Sequence, residues 1–168
     1  MKASLLEEIL QSIKNVRIAV VGDFCLDAYW FVDESKSEIS VETGLPTRPV
    51  RKQAYSPGGA GNVANNLAAM EVGEVLAFGV IGPDPFGVEM VKILNEKGIN
   101  TSNLLIQEKE WATHVYIKPY SGETEANRID FGNFNRLSRK TADKLISRLT
   151  VAMHRIDLVI LKDRKSVV

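Results

Sequence analysis

Apolar and polar positions follow one another along this chain with two different periods. Near the start, apolar side chains recur at helical spacing, at Leu5, Leu6, Ile9, Leu10 and Ile13. This spacing predicts an amphipathic helix over residues 3–14. Residues 17–21 are then apolar and rich in β-branched side chains, and a glycine follows them. That pattern predicts a short strand buried on both faces.

The same two patterns continue towards the end of the chain. They predict strands over 75–81, 104–107, 113–119, 123–130 and 157–161, and helices over 60–70, 86–97 and 138–153. Gly98 is a helix-ending residue, and Ser138 is a helix-capping residue. Strands that alternate with helices of roughly ten residues or more predict an α/β fold, with a mostly parallel sheet covered by helices on both faces.

Residues 28–56 differ in character from the segments on either side. They alternate in polarity, are rich in Ser, Thr and charged side chains, and contain Pro46 and Pro49. Prolines and an alternating pattern disfavour a helix. We therefore expect an antiparallel flap or a pair of loops that projects from the core.

The composition narrows the classes of partner. The 168 residues contain 21 Lys and Arg and 21 Asp and Glu, so the formal net charge is zero. This balance argues against nucleic acid or a membrane surface and favours a small molecule. Cys25 is the only cysteine, which fits a reducing cytoplasm. No signal peptide, apolar span or His-based metal site is expected.

A glycine-rich segment precedes the second predicted helix. Gly58 and Gly59 allow close approach of the backbone to a ligand, and amide groups at a helix start can bind ligand oxygens. Asn62 supplies both a donor and an acceptor, as sugar hydroxyls require. The alternative is a loop whose glycines only permit tight packing between helix and strand.

Two carboxylates follow the first predicted strand. Asp27 comes five residues after Gly22 and can accept two charge-assisted hydrogen bonds from a polyol. The alternatives are a turn or helix cap for Asp23 and a surface salt bridge for Asp27. Neither aspartate is decisive by itself.

Taken together, these segments resemble the first signature of the ribokinase-like (phosphofructokinase-B family) carbohydrate kinases. The signature has Gly-Asp-x-x-x-Asp at 22–27 and Gly-Gly-Ala-Gly-Asn-Val-Ala at 58–64, and residues 79–87 resemble a further family stretch. The resemblance implies a ribokinase-like fold and a sugar held by Asp27, Gly58, Gly59 and Asn62, with Asp23 and Asn66 as further candidates. It also implies that the flap at 28–56 closes over the sugar and forms a homodimer contact.

Within the family, Thr113 and the Arg-Ile-Asp at 128–130 resemble kinases of heptose 7-phosphate, the N-terminal half of the bifunctional ADP-heptose synthesis protein. Those kinases place basic residues soon after the threonine, where this chain has Tyr116 and Lys118. Lys118 is therefore a further candidate for substrate binding. Glu71 stands where the family has a small residue, and this suggests a local shift after the helix.

The second family signature, Asp-Thr-x-Gly-Ala-Gly-Asp, does not occur in these 168 residues. In the family it supplies the catalytic base and the anion hole, so we expect no catalytic residue in this chain. Residues 1–168 then form the N-terminal part of a single ribokinase-like domain, and ATP and Mg²⁺ would serve the full-length kinase. The alternatives are an inactive sugar-binding or dimerisation module and a generic α/β domain for another polar ligand. Residues 162–165 are expected to form a solvated tail.

Overall fold

A computed structural model describes residues 3–162. The helices are α1 (Ala3–Ser12), α2 (Ala60–Ala69), α3 (Pro85–Glu96) and α4 (Arg139–Ala152). The strands are β1 (Arg17–Gly22), β2 (Phe24–Val32), β3 (Val50–Gly59), β4 (Glu74–Ile81), β5 (Asn100–Ile106), β6 (His114–Ser121), β7 (Thr124–Glu125), β8 (Ile129–Phe131) and β9 (Leu158–Lys162). Short 3-10 helices lie at Ile13–Asn15, Glu34–Lys36 and Met153–Arg155.

The first sheet has four strands in the order β5-β4-β1-β9, and all its pairings are parallel. Its two faces are both buried, as the continuous apolar runs predicted. Ile18 and Val20 enter the core shared with α2 and α3, whereas Ala19 packs on the other side with residues of α4. Complete burial of a side chain such as Phe78 contributes about 1.5–3 kcal/mol. The predicted α/β fold is confirmed.

The second sheet has five strands in the order β3-β2-β6-β7, and β8 also pairs with β6. β2 is antiparallel to β3 but parallel to β6. One face of this sheet is apolar and buried in the main core through Phe24, Leu26, Ala28, Val115 and Ile117. The opposite face carries polar and aromatic side chains. The second sheet therefore has a polar side that faces away from the main core.

Three sequence-based boundaries were wrong. Cys25 and Asp27 lie within β2, because this strand begins only two residues after Gly22 and runs into the predicted flap. The strand expected over 123–130 is two short strands, and both pair antiparallel with β6. The strand expected over 104–107 begins earlier, at Asn100. Residues 163–165 of the expected tail lie outside the described residues.

The helix ends follow the predicted capping chemistry. Ser138 accepts a hydrogen bond from the Thr141 amide at the start of α4. Gly98 ends α3 in the left-handed region, with φ of 74°. Glu71 has φ of 62° after α2, so it takes the backbone conformation that a glycine takes most easily. No described helix is both long and apolar enough to cross a membrane.

Candidate functional site

Asp27 lies on the open face of the second sheet, in the middle of a row of side chains. Strand register places Asp27 opposite Ser56 of β3 on one side and Tyr116 of β6 on the other. Tyr116 is in turn opposite Asp130 of β8. Directly paired residues project to the same face of a sheet. We call the surface formed by Asp27, Tyr29, Ser56, Tyr116, Lys118, Arg128 and Asp130 the polar face.

Asp27 is joined to Lys118 by an ion pair. The Nζ atom of Lys118 is 2.8 Å from Oδ1 of Asp27, and both side chains are partly exposed. The same Nζ lies 4.9 Å from the centre of the Tyr29 ring, within cation–π range. The hydrogen bond to Asp27 raises the pKa of Lys118, although burial acts in the opposite direction. Lys118 is therefore a cation at neutral pH.

The backbone at Gly58 and Gly59 closes one side of the site. A Cβ atom at Gly58 would lie 2.8 Å from Oδ2 of Asp27 and 2.8 Å from Sγ of Cys25. At Gly59, φ is 56° and a Cβ atom would lie 2.4 Å from the carbonyl oxygen of Asp23. Any side chain at either position would force the site to rearrange. The two glycines bring the start of α2 against Asp27.

The remaining sequence candidates are less closely associated with Asp27. Asn62 and Asn66 are exposed on one side of α2, a turn apart. Asp23 connects β1 to β2, and its carbonyl oxygen accepts a hydrogen bond from the Ala60 amide at 2.9 Å. Its amide donates to the Lys162 carbonyl at 3.2 Å. The backbone of Asp23 thus links the end of β9 to the start of α2.

Arg128 and Asp130 form a second ion pair on the polar face. The Nε and Nη2 atoms of Arg128 lie 2.6 and 2.7 Å from the two carboxylate oxygens of Asp130. The guanidinium lies 4.6 Å from the centre of the buried Tyr116 ring. Tyr116, Arg128 and Asp130 were not individual candidates from the sequence. Alternation along β6 was the available signal, because it places Tyr116 and Lys118 on one face.

The stretch at 79–87 has a structural role in positioning β6. Oδ1 of Asp84 accepts the Gly87 amide at the start of α3, while Oδ2 accepts the Thr113 amide at 2.8 Å. Oγ1 of Thr113 accepts the Gly82 amide in return, at 3.0 Å. These buried and partly buried bonds fix the residue that precedes β6. They therefore fix the strand that carries Tyr116 and Lys118.

The chemistry of the polar face suits a ligand that both donates and accepts hydrogen bonds. Asp27 accepts hydrogen bonds, and the ammonium of Lys118 has three donor positions, of which Asp27 takes one. Within residues 3–162, no three His, Cys, Asp or Glu side chains are grouped as metal ligands. A hydroxyl-rich small molecule fits this arrangement well.

Solved structures with a similar fold are sugar kinases. A carbohydrate kinase from Agrobacterium tumefaciens superposes with a TM-score of 0.62 and 15% identity, over 87% of this chain and 45% of its own. A ribokinase from Cryptococcus neoformans var. grubii serotype A, crystallised with ADP, gives a TM-score of 0.51 and 20% identity, over 86% and 48%. Both likenesses concern the ribokinase-like fold.

Relatives found by sequence are more similar to this chain than these two solved structures are. The bifunctional protein HldE of Sulfurimonas denitrificans is 32% identical over 88% of this chain and 30% of its own length. The D-beta-D-heptose 7-phosphate kinase of Bordetella bronchiseptica is 30% identical over 91% and 47%. The chain thus spans 30% to 47% of the length of these relatives. The model of the pfkB family carbohydrate kinases matches residues 15–152. The chain belongs to the pfkB family of carbohydrate kinases.

Proposed function

We propose that this chain is the sugar-binding portion of an ATP-dependent carbohydrate kinase, which phosphorylates a hydroxyl of a sugar or sugar phosphate. The observation that carries the proposal is the position of Asp27. Its carboxylate lies on an open sheet face, next to the bare backbone of Gly58 and in contact with Lys118. Carboxylate and ammonium groups at this distance can bind the hydroxyls of one acceptor.

In this proposal each side chain has a separate task. Asp27 accepts hydrogen bonds from acceptor hydroxyls, and Lys118 donates to an acceptor oxygen while it remains charged. Gly58 leaves room for the Asp27 carboxylate, Gly59 brings the start of α2 beside it, and Asn62 on α2 contributes a donor and an acceptor. Asp23 and Asn66 are secondary candidates for the same site. Sugars held in this way are positioned for transfer, which is the main requirement of phosphoryl-transfer catalysis.

ATP and Mg²⁺ are proposed for the whole kinase on the basis of family membership. We assign no residue between 3 and 162 to the nucleotide or the metal ion. The Gly-Ala-Gly-Asp segment expected to supply the catalytic base is not in the sequence. We therefore propose that the 168-residue chain binds sugar but does not transfer a phosphoryl group unaided. A reducing cytoplasm is the proposed location.

We also propose that a homodimer forms through the flap at residues 28–56. Its tip carries apolar side chains that are largely exposed, with 65% exposure at Ile39, 102% at Val41 and 65% at Leu45. An exposed group of apolar side chains is a feature of interaction surfaces. A second copy of the same flap would bury them symmetrically. A module that only binds sugar and dimerises is the second candidate function.

The test is isothermal titration of the chain with sugars and sugar phosphates, including heptose 7-phosphate. We expect saturable binding by the wild type and its loss in Asp27→Ala. Asp143→Ala on α4 is the matched control, because Asp143 is also a surface carboxylate near a cation but lies on a different element. Equal affinity of the wild type and Asp27→Ala would overturn the assignment of the site. Phosphoryl transfer by a longer form of the protein would distinguish a kinase from a module that only binds sugar and dimerises.

A further inference from the structure

A cavity of about 200 Å³ lies between α4 and β5. It is lined by β5, by the last turns of α4 and by the 3-10 helix that follows, through Asn103, Ser147, Arg148, Val151, Ala152 and Arg155. Asn103 pairs with Phe78 of β4, and Phe78 belongs to the core that α4 covers. The cavity is therefore on the α4 side of the first sheet, whereas Asp27 lies on the second sheet.

Two of these residues are arginines that no carboxylate neutralises. Within residues 3–162, the ion pairs that form at N···O distances up to 4.0 Å include neither Arg148 nor Arg155. The Nη1 atom of Arg148 donates to the Ser102 carbonyl oxygen at 2.7 Å, which anchors the guanidinium between α4 and β5 and leaves other N–H groups for a ligand. On the polar face, by contrast, Lys118 and Arg128 are each bonded to a carboxylate.

The charge of α4 adds to that of the two arginines. This helix has four basic side chains and one acidic side chain, in the sequence RKTADKLISRLTVA, although the whole chain has no net charge. The carbonyl groups at its C-terminus act in the opposite direction, but they are equivalent to only about half a negative charge. Arg148 and Arg155 contribute two full positive charges, so the cavity attracts anions.

Asn103 brings an uncharged donor to the same cavity. The residue is only 9% exposed, and its amide nitrogen has one partner within the described residues, Oγ of Ser102, at 3.5 Å. That distance is beyond the usual range of an N–H···O hydrogen bond, whereas buried amides normally form hydrogen bonds of ordinary length. The hydroxyl of Ser147 is a second uncharged donor. None of the residues that line the cavity is a carboxylate.

We propose that this cavity is a second binding site, which takes a phosphate group. Arg148 and Arg155 balance the charge of the phosphate, and Asn103 and Ser147 donate to its remaining oxygens. Guanidinium groups suit this ligand because their N–H donors can bind two phosphate oxygens at once. Ser147 and Arg155 are exposed, so the phosphate can be free or can belong to a small phosphomonoester. The inference goes beyond the proposed function, because no residue of the polar face takes part.

The first test is thermal unfolding of the 168-residue chain with inorganic phosphate or methyl phosphate, with sodium chloride holding the ionic strength constant. A ligand that binds only the folded state raises Tm as its concentration increases. We expect this rise with at least one of the two ligands, and the one that binds more tightly shows whether the phosphate is free or esterified. An unchanged Tm with both ligands up to about 50 mM would overturn the inference.

The second test locates the site by substitution. Arg155→Gln should weaken phosphate binding about tenfold, the size of one charged hydrogen bond, and should leave sugar affinity unchanged. Arg155 is exposed and belongs to no ion pair in the described part of the chain, so the fold should persist. Lys140→Gln is the matched control, because it removes the same charge from the first turn of α4. Equal losses in the two variants would indicate general attraction to a basic helix and would overturn the site.

A third variant keeps this inference separate from the proposed function. Asp27→Ala should lose sugar binding but retain the rise in Tm with phosphate, because Asp27 lies on the other sheet. Loss of the phosphate effect in folded Asp27→Ala would place the phosphate on the polar face and would overturn a second site. Failure of the chain to bind any sugar would leave the phosphate result intact.

Discussion

Gly58 leaves room for the carboxylate of Asp27 that no other residue type would leave. A Cβ atom at Gly58 would lie 2.8 Å from Oδ2 of Asp27, closer than carbon and oxygen atoms approach without displacement. Gly58 is buried and pairs with Cys25, which lies two residues before Asp27 on β2. The glycine on β3 therefore determines where the carboxylate on β2 can stand.

This relationship predicts that Gly58→Ala abolishes sugar binding while the fold is retained. The added methyl group would displace both Asp27 and Cys25, at a cost of about 1–3 kcal/mol in stability. Titration calorimetry with the preferred sugar and thermal unfolding measure the two effects separately. Gly98→Ala is the control, because a Cβ atom there meets nothing within 4 Å although φ is 74°. It should lose stability but keep its affinity, and the same behaviour in Gly58→Ala would contradict the prediction.

The end of α2 offers a stabilising substitution. Glu71 has φ of 62°, and amides of Glu71 and Val72 close the helix by donating to the carbonyls of Ala68 and Leu67. Glycine is the preferred residue in this conformation. Glu71→Gly should therefore raise the free energy of unfolding by about 1 kcal/mol. The expected rise in Tm is roughly 2–4 °C by calorimetry.

One interaction acts against this gain. The Glu71 carboxylate lies 3.0 Å from Nζ of Lys14 in an exposed pair. Such pairs contribute about 0–1 kcal/mol, so Lys14→Ala measures how much is lost with the carboxylate. A Tm for Glu71→Gly below that of Lys14→Ala would show that the backbone is not strained at this position.

The ion pair that joins β1 to β9 predicts a pH-dependent stability. Asp157 accepts the Arg17 amide at 2.8 Å and binds the guanidinium through both carboxylate oxygens. These bonds to Arg17 lower the pKa of Asp157 below its usual 3.8. At pH values above the pKa of this carboxyl in the unfolded state, its lowered pKa in the folded state stabilises the protein. This contribution is lost as the pH falls through the folded pKa.

Asp157→Asn should accordingly lower the free energy of unfolding near neutral pH. The difference from the wild type should shrink as the pH falls below 3.8 and through the lower pKa of the folded state, because the wild-type carboxylate is then protonated as well. Urea unfolding between pH 7 and pH 3 measures this difference. Asp143→Asn, in an exposed pair at 3.8 Å, should have a small effect throughout. A constant difference for Asp157→Asn would mean that the charge contributes nothing.

The flap predicts where the proposed dimer can be broken. Val41→Ser combined with Leu45→Ser removes apolar side chains that are exposed in the single chain, so folding should be unaffected. If a second copy covers them, the dimer dissociation constant should rise by tenfold or more, since each buried side chain contributes about 1.5–3 kcal/mol. Sedimentation equilibrium measures that constant. Val88→Ser, at an equally exposed position on α3, should leave it unchanged.

Local sequence patterns predicted the positions of helices and strands better than they predicted which strands pair. The helix cap at Ser138 and the helix end at Gly98 follow from the chemistry of single residues, and the structure confirms both. The surroundings of Asp27 do not follow in this way. Tyr116 faces it through a parallel pairing between β2 and β6, and nothing in either strand specifies that register. Lys118 was a candidate by resemblance, but its bond to Asp27 required the fold.

The expectation of a local shift at Glu71 illustrates the same difference. The residue type at position 71 is unusual for the family, but a residue type does not specify a backbone angle. The structure places Glu71 itself in the left-handed region, and Gly73 packs against the Lys14 carbonyl, 2.3 Å from where its Cβ would be. The helix therefore ends in the ordinary way, with an unfavourable residue at its end.

The central position of β1 has a consequence for how the chain assembles during synthesis. β1 pairs with β4 on one side and with β9 on the other, and Arg17 meets Asp157 across 140 residues of sequence. Once β4 has emerged from the ribosome, β1 and β4 can pair, and two of the four strands of this sheet are then in place. The other edge of β1 must wait until β9 has been translated as well. Pairings of such long range form slowly, and the waiting edge is open to association with other nascent chains.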